Sequence, residues 1–151
     1  ALREGLGSAR WRARFELLGE EPYVIFDGSH NLQGVTAAAE SIKSFFGEEK
    51  VILLMGVLAD KEWDAMLGKL LPLAKEMHCI TPNSPRALDS ARLADECVKR
   101  GVSATAYADI DEGVASAYNR AKTQNMPLVM LGSLYMYGDV AKALEKAKNF
   151  V

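Results

Sequence analysis

The sequence is poor in the residues that mark several large classes of protein. Its 151 residues include two cysteines, Cys79 and Cys97, and neither stands in a CxxC pair or beside a group of histidines. This spacing excludes a zinc site and a disulfide framework, so we expect no metal site and two reduced, buried thiols.

Lysine and arginine (18) are scattered and are outnumbered by aspartate and glutamate (20), and this balance argues against a nucleic-acid partner. No apolar run approaches the roughly 18–20 residues that span a bilayer, and the N-terminus has no signal-peptide profile, so we expect a cytoplasmic protein without a membrane partner.

The motifs of several enzyme classes are missing as well. A Walker A loop requires GxxxxGK[ST] to cradle phosphates, but here Gly28 and Gly34 have five residues between them and Val35 follows. The dinucleotide fingerprint GxGxxG, the HExxH metal helix and the GxSxG nucleophile elbow do not occur. An independent kinase, GTPase, dehydrogenase, metalloprotease or serine hydrolase is therefore disfavoured. Any nucleotide site in this chain is expected to be half of a site.

What the sequence does contain is an alternation of buried strands and amphipathic helices. The apolar run at residues 23–26 indicates a strand buried on both faces, and it ends at Asp27. From Asn31 onward, apolar residues recur at three- and four-residue spacing, which is typical of one buried face of a helix. The same reasoning predicts strands at residues 14–18, 23–26, 51–56, 77–80, 103–107 and 127–131, and helices at 31–46, 60–72, 89–100, 110–122 and around 140–147. Asp60 is placed to cap the second helix and Pro72 to end it.

These elements predict one α/β domain. Short connections between alternating strands and helices indicate a Rossmann-like, doubly wound, mostly parallel sheet of about six strands, with helices on both faces. Residues 14–18 and the turn at 19–22 predict an antiparallel edge strand, which would bring Arg14 beside the end of the strand that carries Asp27. We expect residues 1–13 to be a linker or the tail of a preceding domain, and residues 14–151 to form the domain itself.

Polar clusters follow the predicted strands. Because ligands bind beyond the carboxyl ends of strands in such sheets, we expect these clusters to share one edge: residues 27–31, 60–61, 83–86 and Ser133. Each also has a simpler interpretation. Asp27 could cap the following helix, His30 and Lys61 could be solvated, Arg86 could lie in an exposed loop and Ser133 could form a turn. His78, inside a strand, is interpreted as a core residue.

Five stretches of the chain resemble the C-terminal domain of folylpolyglutamate synthase/dihydrofolate synthase, a branch of the Mur ligase superfamily. They occur in the family's order and span nearly the whole chain: WRARFE at 11–16, DGSHN at 27–31, GVLADK at 56–61, PNSPRAL at 82–88 and GSLY at 132–135. Each stretch is weak alone, and the five together are specific. The chain departs from the family where Arg12-Ala13 replaces the usual Pro-Gly and Ser29 replaces alanine.

The resemblance implies a reaction and a set of roles. ATP phosphorylates a carboxylate of dihydropteroate or of a folate, and the amine of L-glutamate attacks the acyl phosphate. The P-loop and most of the Mg²⁺ site would lie in an N-terminal ATPase domain that this chain lacks, so the isolated chain is expected to be inactive. The implied contacts are Arg14 and Asp27 to the nucleotide and His30 and Ser133 to glutamate, with Asp27 and His30 as catalytic residues and Lys61 and Arg86 at matching positions of the substrate-binding site.

Two other functions remain open at this stage. A Mur-type ligase that joins an amino acid to a cell-wall precursor shares the architecture but should lack the GSLY stretch. A non-catalytic Rossmann-like binding module would be encoded without an upstream ATPase domain. The choice between dihydropteroate and folates as substrate also stays open.

Overall fold

The computed structural model describes residues 14–149, so the predicted linker at 1–13 lies outside the described residues. These residues form one six-stranded sheet in the order β1-β2-β6-β3-β4-β5. The strands are β1 (Glu16–Glu20), β2 (Tyr23–Asp27), β3 (Val51–Met55), β4 (Ala74–Cys79), β5 (Ala104–Ala106) and β6 (Leu128–Leu131). The β1–β2 pair is antiparallel and the other four pairs are parallel, which confirms the predicted α/β class.

The inner strands carry apolar side chains on both faces, and helices cover each face of the sheet. Alternate residues of β3 enter opposite cores: Leu53 packs in one cluster and Leu54 in the other. Three helices lie over the first face: α1 (Leu32–Phe46), α2 (Trp63–Leu70) and α3 (Ser90–Lys99). The other face carries α4 (Ile110–Gln124) and α5 (Tyr137–Asn149). This layering agrees with the predicted doubly wound arrangement.

The strand order creates a switch point. Strand β6 lies between β2 and β3, and the chain leaves β2 toward α1 on one face but leaves β6 toward α5 on the other. Loops that diverge to opposite faces open a crevice at the carboxyl edge of the sheet, and ligands of open α/β sheets bind in that crevice. Asp27 ends β2 and Ser133 follows β6, so both belong to the switch point.

Several boundaries differ from the prediction, most clearly those of β1 and β4. Strand β1 runs from Glu16 to Glu20, not from residue 14 to 18, and it reaches β2 through a two-residue turn and an irregular register near Leu17. Strand β4 begins at Ala74, three residues early, because the 3-10 turn at Leu71–Leu73 leads directly into it. That turn contains Pro72 and ends α2, as predicted.

The predicted cap at Asp60 is wrong. Helix α2 starts after Glu62, which makes no capping hydrogen bond through its side chain. Asp60 instead pairs with Arg86 across the neighbouring loop. The charge-assisted hydrogen bonds from Arg86 therefore take the place of the capping hydrogen bond that the sequence predicted for Asp60.

The thiols and His78 are buried, as predicted. Cys79 and Cys97 are free and pack in the α1–α3 core. His78 is 3% exposed, but its ring has two polar partners: Nε2 lies 2.6 Å from Glu76 Oε2 and Nδ1 lies 2.8 Å from the Tyr107 hydroxyl. Among residues 14–149, no helix has both the length and the apolar composition to cross a membrane.

Candidate functional site

Two adjacent clefts open at the switch point. The first, called here the β2 cleft, has a volume of about 670 Å³ and lies between the segment before β1, the β2–α1 loop and α1. The second, called the β6 cleft, has a volume of about 430 Å³ and lies between the loops that follow β3, β4 and β6. His30 and Leu134 line both clefts. The two clefts are therefore neighbours that share these two residues.

Each of the six residues proposed from the sequence for the site lines one of these clefts. Arg14 and Asp27 line the β2 cleft, while Lys61, Arg86 and Ser133 line the β6 cleft together with His30. The expectation that loops distant in sequence meet at one edge of the sheet is thus confirmed, while the roles of the individual residues remain predictions.

Asp27 connects two segments of the β2 cleft. Its Oδ2 accepts the backbone N–H of Phe15 at 3.0 Å, and its Oδ1 accepts that of Ser29 at 2.8 Å. The alternative role as a helix cap is wrong, because Asn31 caps α1 by accepting the N–H of Gly34 at 2.8 Å. Asp27 still belongs to β2 and lies too far upstream to reach the first turn of the helix. Each of its oxygens has a second lone pair available to a ligand.

Phe15 has a backbone conformation that is unusual for its residue type. Its φ angle is +46°, in the left-handed region that bulky residues rarely adopt. The conformation turns its N–H toward Asp27 while its ring stacks on Phe45 at a centroid distance of 5.5 Å. Strain of this kind costs roughly 1–3 kcal/mol and persists where surrounding contacts enforce it. These contacts of Phe15 fix the backbone next to Arg14, which lines the β2 cleft.

The exposed ring of His30 has a defined orientation. Its Nδ1 lies 3.2 Å from the carbonyl oxygen of Gly28, and a carbonyl can only accept, so Nδ1 carries the proton. In the neutral ring, Nε2 is then the acceptor. An imidazole acceptor placed between two clefts can receive a proton from a ligand in either one.

Ser133 is held by a tight approach of two strand ends. It is 1% exposed, and its Oγ accepts the N–H of Tyr135 at 3.2 Å, which leaves the hydroxyl proton as a donor. The preceding residue, Gly132, has φ +117°, and a Cβ there would lie 2.2 Å from the carbonyl oxygen of Gly56. Only glycine fits this position, so Gly132 sets where Ser133 meets the cleft.

Two cations line the β6 cleft, Lys61 and Arg86. The loops that carry them are joined by the bridge Leu58–Ala87, in which the N–H of Ala59 donates to the carbonyl of Arg86 at 2.8 Å. The hydrogen bond from Arg86 lowers the pKa of the Asp60 carboxyl below its usual range. With the donor on Ser133, these two side chains suit an anionic ligand.

Sequence reasoning missed several features of this site. The wall of the β6 cleft includes Leu134 and Tyr135, which are 55% and 65% exposed, and both lie in a stretch already noted for its family likeness. The strained Phe15 left no signal in the sequence, because a left-handed φ at phenylalanine follows no residue preference. Among the described residues, no group of three or more His, Cys, Asp or Glu is arranged to hold a metal ion.

The fold and its clefts define a Rossmann-like α/β domain with a binding site at the carboxyl edge of the sheet. Comparison with protein families then gives a more specific result: residues 13–134 match the model described as Mur ligase, glutamate ligase domain. The chain belongs to this family. The family resemblance read from the five sequence stretches is therefore confirmed.

Two curated relatives are similar over nearly all of the chain. The dihydrofolate synthase/folylpolyglutamate synthase of Bacillus subtilis is 32% identical over 96% of this chain and 33% of its own length. The folylpolyglutamate synthase of Lacticaseibacillus casei is 30% identical over 98% of this chain and 33% of its own length. The chain thus spans about a third of the length of these relatives.

Solved structures show the same fold. The bifunctional folylpolyglutamate synthase/dihydrofolate synthase of Yersinia pestis complexed with AMPPNP and Mn superposes with a TM-score of 0.79 at 27% identity. The match covers 95% of this chain and 34% of that one. A second structure, of a bifunctional folylpolyglutamate synthase/dihydrofolate synthase with Mn, AMPPNP and L-glutamate bound, gives a TM-score of 0.73 at 26% identity, with the same coverage.

Proposed function

We propose that this chain is the glutamate-side domain of an ATP-dependent ligase that adds L-glutamate to folate or dihydropteroate through an acyl phosphate. The observation that carries the proposal is the arrangement of two clefts that share His30, because the reaction needs an activated carboxylate and an amine in adjacent spaces. The relatives named for this activity support it, as does the structure with a nucleotide analogue and L-glutamate bound. The full activity requires a partner, which we propose is the protein's own N-terminal ATPase domain, joined through residues 1–13.

The β2 cleft is the proposed nucleotide side. Arg14 supplies a cation for phosphate oxygens, and the free lone pairs of Asp27 can accept ribose hydroxyls. The cleft contains neither a glycine-rich phosphate cradle nor a cluster of metal ligands among residues 14–149. ATP and Mg²⁺ would therefore be held mainly by the ATPase domain, with Arg14 and Asp27 completing the site. Mg²⁺ would neutralise the charge on the transferred phosphate.

The β6 cleft is the proposed glutamate side. Lys61 and Arg86 offer two cations to the two carboxylates of L-glutamate, and Ser133 offers a hydroxyl donor. His30 presents Nε2 between the clefts, where it can accept a proton from the glutamate amine as that amine attacks the acyl phosphate. The domain would accelerate the reaction mainly by holding the amine in line with the activated carboxylate.

Kinetics of the full-length enzyme test these roles. We expect His30→Ala to lower kcat/KM by at least about 100-fold, the usual scale for loss of a proton-transfer group, with a small change in melting temperature because His30 is exposed. Asp27→Ala should lower kcat/KM by about 10- to 100-fold, the scale for loss of a charge-assisted hydrogen bond to the nucleotide. Asp109→Ala is the matched control, since it removes the side-chain cap of α4, lines neither cleft, and should reduce stability by about 1 kcal/mol while preserving activity. Equal losses of activity and stability in all three variants would contradict the proposal.

The isolated chain provides a second test. We expect no ATP-dependent glutamate ligation by the 151 residues alone, because the β2 cleft has no phosphate cradle. Ligation by the isolated chain would refute the division of roles between two domains. A screen of the full-length enzyme with folates, dihydropteroate and cell-wall nucleotide precursors separates the proposed substrates from those of a cell-wall ligase.

A further inference from the structure

We propose that Asp60 is a positioning residue of the β6 cleft: it holds the guanidinium of Arg86 so that the free N–H groups of Arg86 receive a carboxylate of the incoming amino acid. Asp60 itself does not line the cleft, whereas Arg86 does. The inference rests on the proposed function, because it requires an anionic amino acid in that cleft.

The hydrogen-bond geometry uses one side of the guanidinium and leaves the other free. Nε and Nη2 of Arg86 both donate to Oδ2 of Asp60, at 3.2 and 2.5 Å. A guanidinium has five N–H donors in a rigid plane, so three remain on Nη1 and Nη2. In the part of the chain that the structure describes, those three donors have no protein acceptor. One N–H of Nη1 and the remaining N–H of Nη2 lie side by side, and this pair can bind a carboxylate through two parallel hydrogen bonds.

The backbone brings the two residues together before their side chains meet. The N–H of Ala59 donates to the carbonyl of Arg86, and the N–H of Leu88 donates to the carbonyl of Val57, both at 2.8 Å. These bonds join the loops after β3 and β4 on either side of the pair. Because these bonds hold the two loops together, the contact with Asp60 acts mainly on the side-chain rotamer of Arg86.

Exposure shows that this pair does little for folding. The side chains of Asp60 and Arg86 are 54% and 51% exposed, and exposed ion pairs contribute little to stability. Asp60 makes no capping bond to α2 either. Removing its carboxylate should leave the fold intact and release the Arg86 side chain, so that binding must order that side chain again.

Charge alone predicts the opposite effect. If Asp60 acted only by neutralising Arg86, its removal would make the cleft more positive and would tighten the binding of an anion. If Asp60 acts by orientation, its removal weakens binding roughly 2- to 12-fold, the cost of ordering one long side chain. The sign of the change therefore separates the two roles.

The experiment titrates L-glutamate into the 151-residue chain and follows backbone amide chemical shifts. We expect Asp60→Ala to raise the Kd roughly 2- to 12-fold. Asp60→Asn is the matched control, because its amide oxygen can still accept from Nε and Nη2, and its Kd should stay within about 2-fold of wild type. In an Arg86→Ala background, adding Asp60→Ala should change nothing further. Arg86→Lys, which keeps the charge but loses the planar fork, should weaken binding as well.

The outcomes are distinct. An unchanged or lower Kd for Asp60→Ala overturns the inference, and so does an effect that adds in full to that of Arg86→Ala. If Asp60→Ala lowers the melting temperature by more than about 4 °C, as a structural residue would, the inference also fails. If the wild-type chain does not bind L-glutamate, both the proposed function and the inference are refuted. If the wild-type chain binds L-glutamate and the Kd of Asp60→Ala is the same, only the inference is refuted.

Discussion

Replacing Gly132 with alanine tests whether the close approach of β6 and β3 shapes the β6 cleft. Gly132 has φ +117°, and a Cβ at this position would lie 2.2 Å from the carbonyl oxygen of Gly56. That oxygen belongs to the backbone, so it cannot rotate away as a flexible side chain would. The loop after β6 must shift, and Ser133 must shift with it.

The expected magnitude follows from two terms. A disfavoured φ costs about 1–3 kcal/mol, and relieving a steric overlap in a packed region costs about 1–3 kcal/mol. Gly132→Ala should therefore lower the free energy of unfolding by about 2–6 kcal/mol. For a chain of this length that corresponds to a fall in melting temperature of at least about 4 °C. The binding of L-glutamate should weaken too, because Ser133 lines the cleft.

Thermal denaturation monitored by circular dichroism measures the effect on stability. Gly68→Ala is the matched control, since Gly68 lies inside α2 and a Cβ there meets nothing within 4 Å. Alanine is the better helix former, so this variant should gain about 0.5–1 kcal/mol. A melting temperature for Gly132→Ala within about 1 °C of wild type would refute the reasoning.

Three further predictions follow from single contacts. Ser29→Ala should raise the free energy of unfolding by roughly 1–3 kcal/mol, because the buried Oγ of Ser29 has no hydrogen-bond partner. Chemical denaturation that shows a lower free energy of unfolding for this variant would contradict the prediction. Burial lowers the pKa of His78 below its ordinary value of 6.5, so its contribution to stability is complete above pH 6.5 and is lost as pH falls through the folded pKa. Unfolding measured from pH 7.5 to 5 should show this slope, His78→Gln should remove it, and His30→Gln, which changes the other histidine, should keep it. Asn31→Ala should lose about 1 kcal/mol at every pH in that range, since its capping bond involves no titrating group.

Much of the fold was predictable because it depends on local patterns. The apolar run of β2, the helical spacing of α1 and the proline that ends α2 each reveal their structure within a few residues. The clustering of Asp27, Arg86 and Ser133 was predictable as well, since each follows a strand of a parallel sheet and those strands end at the same edge.

The helix cap predicted at Asp60 was wrong because the prediction used only the neighbouring sequence. Asp60 stands in a good position for capping α2, and no pattern near it reveals a guanidinium 26 residues further along the chain. The same limit applies to Phe15, whose conformation is fixed by a carboxylate 12 residues away and by the ring of Phe45.

The sequence by itself determined which segments are strands and helices and which family they belong to, because periodicity and short motifs are properties of neighbouring residues. The tertiary structure alone decided that β6 lies between β2 and β3, that His30 stands between two clefts, and that Asp60 holds Arg86. The physical reason is that strand order and side-chain pairing depend on contacts between residues far apart in the chain. Such contacts compete with local preferences, and at Asp60 the distant one prevails.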